Sequence, residues 1–242
     1  MGDVLRKFHV AAGSDIDIEL VASAVQQVVG AVTDFHGADC LLYAKLGAAL
    51  LRFLGVQAEA VAGSAAWRVG AGDGDVISHA LEVAGQGFVP HNSMGLAAMF
   101  HAWIEGPGFL IDFSTCTLKA KAQALDNADG GRTNVEWAPN YLSIDPDNAP
   151  ALLDRAMAVV QAAEGGVYFY RRHAQIERVA FAESGDTLIR TLLFAARSAY
   201  AAAKRGENIR IVGLVSDGEH QEMPKHGRFV PMASPGHGSA VE

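Results

Sequence analysis

Apolar residues recur every three to four positions over residues 16–33, where Ile18, Val21, Val25, Val28 and Val29 form one stripe. That spacing predicts an amphipathic helix with one buried face. A second stripe, Leu42, Leu46, Leu50, Phe53 and Leu54, predicts a helix that starts near Asp39 and stops at Gly55, a residue suited to a helix C-terminus. Beyond Gly55 the period falls toward two. Segments 56–62, 65–69, 76–83, 98–105 and 109–114 read as short strands separated by glycine-rich turns at 70–74, 84–87 and 106–108. Residues 119–140 read as a long, partly helical connection. Pro150 opens a helix to about Ala163. VYFY (167–170) is strand-like, a helix covers about 186–204, and IRIVGLV (209–215) is a strand. That last helix places Leu188, Leu192, Leu193, Ala196 and Tyr200 on one side, a core or subunit contact. Residues 217–242, with Pro224, Pro231 and Pro235, have the composition of a loop or tail. No repeat of 20–50 residues is present. Helices first, strands next and mixed elements last predict an α+β fold rather than a parallel doubly wound sheet. Residues 1–145 form the expected core, and 146–242 an α/β extension packed on it as one domain.

Composition narrows the functions available. The 242 residues are half apolar, enough for a substantial core. Against 19 Lys and Arg stand 27 Asp and Glu, a net charge of −8, which argues against a nucleic-acid partner. The longest apolar run, Leu41 to Val56, is broken by Lys45 and Arg52, so no membrane span is expected. The start MGDVLRKFHV has no apolar signal region, and Arg6 replaces the hydroxyl residue of a myristoylation site. Cys40 and Cys116 are the only cysteines, which excludes a disulfide scaffold and a four-thiolate zinc site. The expectation is a soluble, cytoplasmic protein with free thiols, and homo-oligomerisation is left open.

Cys40 falls in the first turn of the helix that Asp39 caps. There, free N–H groups and the positive dipole end favour a thiolate. Such thiols have pKa values lowered from ~8.5 into roughly the 3.5–7.5 range. The segment MFHAWIEGPGFLIDFS (99–114) reads as a hairpin turning at Gly106-Pro107. With Glu105 opposite Gly108, Ile104 faces Phe109, Ala102 faces Ile111 and Phe100 faces Phe113, all apolar and on one face. The other face then sets Trp103 opposite Leu110 and His101 directly opposite Asp112. A carboxylate so placed orients an imidazole and stabilises its charged form. A helix-start Cys, then a strand His, then an Asp on the next strand is the order of a thiol nucleophile, a general base and an orienting group.

These same segments resemble a known family. GADCLLYAKLGAALLRFLGVQAEAVAGSA is similar to the nucleophile helix and following strand of transglutaminase-like proteins. FHAWIEGPGFLIDFST is similar to that family's His-Ala-Trp-x-Glu and Asp-x-Thr strands. The likeness covers about residues 35–116, with Ala38 and Asp39 between Gly37 and Cys40 where the family usually has one residue. It implies a papain-like α+β core, a nucleophile helix packed on an antiparallel sheet. It also implies Cys40 as nucleophile, His101 as base and acid, and Asp112 as orienting carboxylate. The substrate expected is a peptide, protein or small amide, attacked through a thioester. Hydrolysis is preferred to acyl transfer because no acyl-CoA or amine-donor feature is visible. Arylamine N-acetyltransferase-like acyl transfer and a catalytically silent binding module are the alternatives.

Trp103, His91 and His36 are candidate substrate contacts. Gln26, Gln27 and His36 are the polar residues upstream of Cys40 considered for a second oxyanion donor, beside the Cys40 N–H. His79, His91 and His101 lack the spacing of a metal site, so neither metal nor cofactor is expected. VGAGDGD (69–75) reads as a flexible turn rather than a phosphate loop. Arg171-Arg172-His173 reads as a solvated strand end, and Cys116 as structural.

Overall fold

The computed structural model of the chain describes residues 7–9, 15–33, 39–79, 100–144, 168–182, 186–207, 209, 211–214 and 220–222. Its centre is an antiparallel sheet of six strands. The long strand β3 (Glu59–Arg68) bonds to β4 (Val76–His79), β5 (His101–Gly106) and β8 (Tyr168–Arg172). From β5 the order continues through β6 (Phe109–Asp112) to β7 (Leu142–Ile144). Two separate ribbons pair β1 (Lys7–His9) with β2 (Asp15–Asp17), and β9 (Val212–Leu214) with β10 (His220–Glu222). Five helices complete the described architecture: α1 (Ile18–Val32), α2 (Cys40–Phe53), α3 (Leu118–Asp129), α4 (Ala174–Ala180) and α5 (Asp186–Lys204). The class is α+β, as the order of elements predicts.

Three helices cover one face of the sheet. α1 starts where Asp17 accepts from the N–H groups of Glu19 and Leu20 at 3.0 and 3.3 Å, a side-chain cap. All five residues of its apolar stripe are buried, together with Leu46 and Leu50 of α2 and Leu192, Ala196 and Tyr200 of α5. They pack against Ala102, Ile104, Phe109 and Ile111, and each fully buried Val or Leu contributes about 1.5–3 kcal/mol. Gly47 lets α2 close on the sheet: a Cβ there would lie 2.6 Å from Ile104 and 2.7 Å from the Phe113 ring. The stripes are not buried to their ends. Phe53 and Leu188 stay half exposed, and Phe53 instead lies 3.7 Å beneath the Arg197 guanidinium.

The opposite face carries the candidate chemistry. His101 lies across from Gly63, Trp103 across from Val61 and Tyr170 across from Ala65, and directly opposed residues share a face. Here Trp67, Ile77, Leu118 and Ala122 form one cluster under α3, and Val61, Trp103, Leu110 and Ile144 form another.

Several expectations need correction. The two strands expected at 56–62 and 65–69 are one strand, because Gly63 and Ser64 pair with β8 without a break. The connection 119–140 is partly helical as expected, through α3, but β7 follows it unforeseen. The strand expected at 209–215 spans only 212–214, and β10 falls in the stretch read as tail. The turn read as flexible is tied: Arg68 donates to the Gly72 carbonyl at 2.8 Å, and Asp75 accepts from the Gly72 N–H at 2.7 Å. The helix expected after Pro150 lies outside the described residues. Among the described residues no helix is long and apolar enough to cross a membrane.

The hairpin register also differs. The β5–β6 turn is Pro107-Gly108, with Gly108 at φ +74°, the proline-then-glycine pattern of a type II turn. Gly106 pairs with Phe109, Glu105 with Leu110 and Ile104 with Ile111. This is two residues from the expected register, and a slip of two keeps every side chain on its face. Alternation therefore finds the face but cannot choose between such registers. The Phe109 ring lies over Gly106, where no side chain fits. Extending the ladder puts Asp112 across from Trp103 and diagonal to His101, not directly opposite it.

Candidate active site

The sequence order of α2, β5 and β6 brings Cys40, His101 and Asp112 together. Cys40 is the first residue of α2, and the Asp39 carbonyl accepts from the N–H groups of Leu42 and Tyr43 at 2.9 and 3.0 Å. The Asp39 carboxylate does not cap the helix but accepts from the Thr33 hydroxyl at 2.8 Å. The Cys40 sulfur reaches the start of β5, 4.0 Å from the Phe100 carbonyl oxygen and beside the Ala102 N–H. His101 lies between those two residues.

Asp112 clamps the imidazole from its other side. His101 Nε2 lies 2.8 Å from Asp112 Oδ2, and the Tyr170 hydroxyl donates to the same oxygen at 2.7 Å. Asp112 Oδ1 accepts from the Ser114 N–H at 2.8 Å and from its hydroxyl at 2.7 Å. A carboxylate only 1% exposed needs such bonds, since an unpaired buried charge is very costly. With Nε2–H committed to Asp112, Nδ1 is the ring nitrogen left for Cys40. It makes no hydrogen bond of normal geometry. The thiol–imidazole contact is therefore looser than the imidazole–carboxylate bond, as is common for catalytic pairs without substrate.

The electrostatics favour a charge-separated pair. Burial pushes the Cys40 thiol up, but the adjacent His101 imidazole and its charge, the Lys121 charge and the Ala102 N–H outweigh it and lower the thiol. Burial pulls His101 down, whereas the Asp112 carboxylate and Cys40 together raise it above the ordinary histidine value. Burial would raise Asp112, but His101, Tyr170 and Ser114 hold it at about 2. Cys116 is the contrast: burial takes its thiol to about 12, so it stays protonated.

Rings wall the site. Trp67 meets His101 edge-on at 4.7 Å between centroids, and its Nε1–H donates to the Tyr170 hydroxyl at 2.9 Å. A chain of donors thus runs from Trp67 through Tyr170 to Asp112. His79 stacks on His101 at 6.0 Å, and burial takes its imidazole down to about 2. Lys121 is 4% exposed, with its ammonium 5.1 Å from the centre of the Trp67 ring. Among the described residues no group of three His, Cys, Asp or Glu is arranged to hold a metal.

Residues 15–132 match the model of DUF2026, a family of proteins of unknown function. The match spans Cys40, His101, Asp112 and Lys121 but stops short of Tyr170. No curated protein matches the chain. A crystal structure of a genomics target is similar in fold, with a TM-score of 0.53 and 16% identity. The likeness covers 86% of this chain and 89% of that one, and at such identity it speaks for fold alone.

The other expected contacts fare differently. Trp103 is 1% exposed, and its Nε1–H donates to Glu105 at 2.9 Å. It packs beside His101 in the sheet and presents no open wall to a substrate. His36 and His91 lie outside the described residues. Gln26 is unavailable as an oxyanion donor, because its amide nitrogen donates to the carbonyls of Phe113 and Asn140 at 3.1 and 2.6 Å. The Gln27 amide donates to Ser23. Tyr170, Trp67 and Lys121 were not singled out from sequence. Each carried a signal: Tyr170 alternates with Tyr168, Trp67 lies in the apolar strand, and Lys121 falls among Leu118, Ala122 and Leu125 at helical spacing.

Proposed function

We propose that the protein is a thiol enzyme of papain-like, transglutaminase-like design that acts on an amide or peptide carbonyl. The observation that carries this reading is the His101 imidazole held at 2.8 Å by Asp112, with its other nitrogen toward a thiol whose proton affinity is lowered. The Cys40 thiolate adds to the carbonyl carbon, and the carbonyl electron pair moves onto oxygen. Collapse of that intermediate breaks the C–N bond as the His101 imidazolium gives its proton to the departing amine. The product is a thioester on Cys40. Water, losing a proton to His101, then adds to the thioester, and the thiolate leaves. The Cys40 backbone N–H, at the uncapped start of α2, serves as an oxyanion donor in this scheme.

Tyr170 and Ser114 are positioning residues in this scheme, since they act through Asp112. The test is iodoacetamide labelling of the intact protein, with each thiol followed by mass spectrometry. Cys40 should react selectively over Cys116, with an apparent pKa below ~8.5. Equal labelling of both thiols, or a Cys40 no more reactive than a free thiol, would favour a silent module on the same fold.

A further inference from the structure

The His101 imidazole stands in a row of rings built along one edge of β3. β8 bonds to β3 from Gly63 to Trp67, so β4 and β5 share the other edge of that strand, end to end. His79, the last residue of β4, lies opposite Ala65. His101, the first of β5, lies opposite Gly63, and Trp103 lies opposite Val61. These are successive rungs on one face of the sheet, because every second residue of a strand points the same way. The His79 and His101 rings stack at 6.0 Å between centroids and 25° between planes, and the His101 and Trp103 rings at 6.3 Å and 13°. Trp67 meets His101 edge-on at 4.7 Å and His79 edge-on at 6.0 Å. All four spacings fall in the roughly 4.5–7 Å range of attractive aromatic pairs.

The Asp112 bond holds the His101 ring at Nε2 alone, since Nδ1 makes no hydrogen bond of normal geometry. A ring tied at one atom swings unless its sides are supported. On one side the support is Trp103, itself tied through Nε1–H to Glu105. On the other it is His79, whose Nε2 has no hydrogen-bond partner among the described residues, so that nitrogen supplies no bond and the ring supplies the packing. The ring is neutral. Burial, then the charges of Lys121 on α3 and His101 on β5, take its imidazole down to about 2 against the opposite pull of Asp112 on β6. It therefore adds no positive charge beside the imidazolium. We propose that His79 is a positioning residue: with Trp103 it flanks the His101 imidazole and keeps it in line between Asp112 and Cys40. The inference rests on the thiol-enzyme reading and adds to it a residue that acts through His101.

The test is the rate at which iodoacetamide labels Cys40 across pH in full-length variants, with a thermal melt on each. His79→Leu keeps bulk at this place and loses the ring. It should slow labelling at neutral pH about 3- to 10-fold and move the apparent pKa of Cys40 upward. His79→Phe returns a flat, neutral ring and should restore the rate to within about twofold of the native protein. A residue that only fills space would leave the pH profile of Cys40 unmoved. A folded His79→Leu with the native profile overturns the positioning role and leaves the thiol-enzyme reading standing, and so does a His79→Phe no better than His79→Leu. A variant-free arm guards against misfolding by following the imidazole nitrogen resonances of the native protein. His79 should keep the shifts of a neutral ring from pH 5 to 8, and titration of His79 within that range overturns the proposal. A native Cys40 no more reactive than glutathione overturns the thiol-enzyme reading and this role with it.

Discussion

Asp112→Asn isolates the charge of the carboxylate from its shape. Asparagine Oδ1 can still accept from the Ser114 N–H and hydroxyl, which now bond at 2.8 and 2.7 Å. Its Nδ2 would face His101 Nε2 and the Tyr170 hydroxyl, where Oδ2 now stands. Both contacts must then reverse, so the imidazole proton moves to Nδ1, the wrong tautomer for taking a proton from Cys40. The size of the effect follows from Asp112 itself, held at about 2 against an unperturbed ~3.9. That net difference, about 2–3 kcal/mol, combines the cost of burial with the help of His101, Tyr170 and Ser114, so it sets the scale of what the pair with Asp112 returns to the imidazolium. Losing it should lower the neutral-pH alkylation rate of Cys40 about 30- to 100-fold and move its apparent pKa up toward ~8.5. The assay is the second-order iodoacetamide rate from pH 5 to 10, with a thermal melt to confirm folding. A folded variant with an unchanged pH profile would show that Asp112 does not govern the thiol. Alanine is a poorer choice here, because it would strand the Ser114, Tyr170 and His101 donors in a buried cavity.

Tyr170→Phe removes one oxygen that donates to Asp112 and accepts from Trp67. It should cost about 2–4 kcal/mol and lower the melting temperature of a chain this long by roughly 5–15 °C; a shift below 2 °C would show that the donor chain is dispensable. Acid titration probes the same carboxylate. Its folded pKa is depressed, so its contribution is complete above ~4 and lost as pH falls toward about 2. The raised His101 contributes in the opposite sense, fully below ~6.5 and less as pH rises through its folded value. Urea unfolding at pH 6, 4 and 3 should therefore show a steeper acid loss for the native sequence than for Asp112→Asn, and equal slopes would contradict the assignment.

Much of this architecture was legible because it rests on local periodicity. The stripes of α1, α2 and α5 and the β5–β6 hairpin announce themselves within windows of fewer than twenty residues. The same alternation put His101 and Asp112 on one face yet missed their register by two, since parity is all that a period of two encodes. Tyr170 was hidden for a different reason. It reaches Asp112 because β8 pairs with β3 across about a hundred residues of sequence, and long-range pairing leaves no local trace. Lys121 sits in KAKAQALDNAD, part of the stretch read as a partly helical connection, and only its place among Leu118, Ala122 and Leu125 betrays the buried side of α3.

β4 ends with His79 opposite Ala65, and β5 opens with His101 opposite Gly63. One strand thus fixes the positions of both stacked imidazoles, two residues apart along it. A change in the course of β3 between Gly63 and Ala65 would move the two rings together, so Ser64, between them, is where the spacing of the stack can be tuned without touching either histidine.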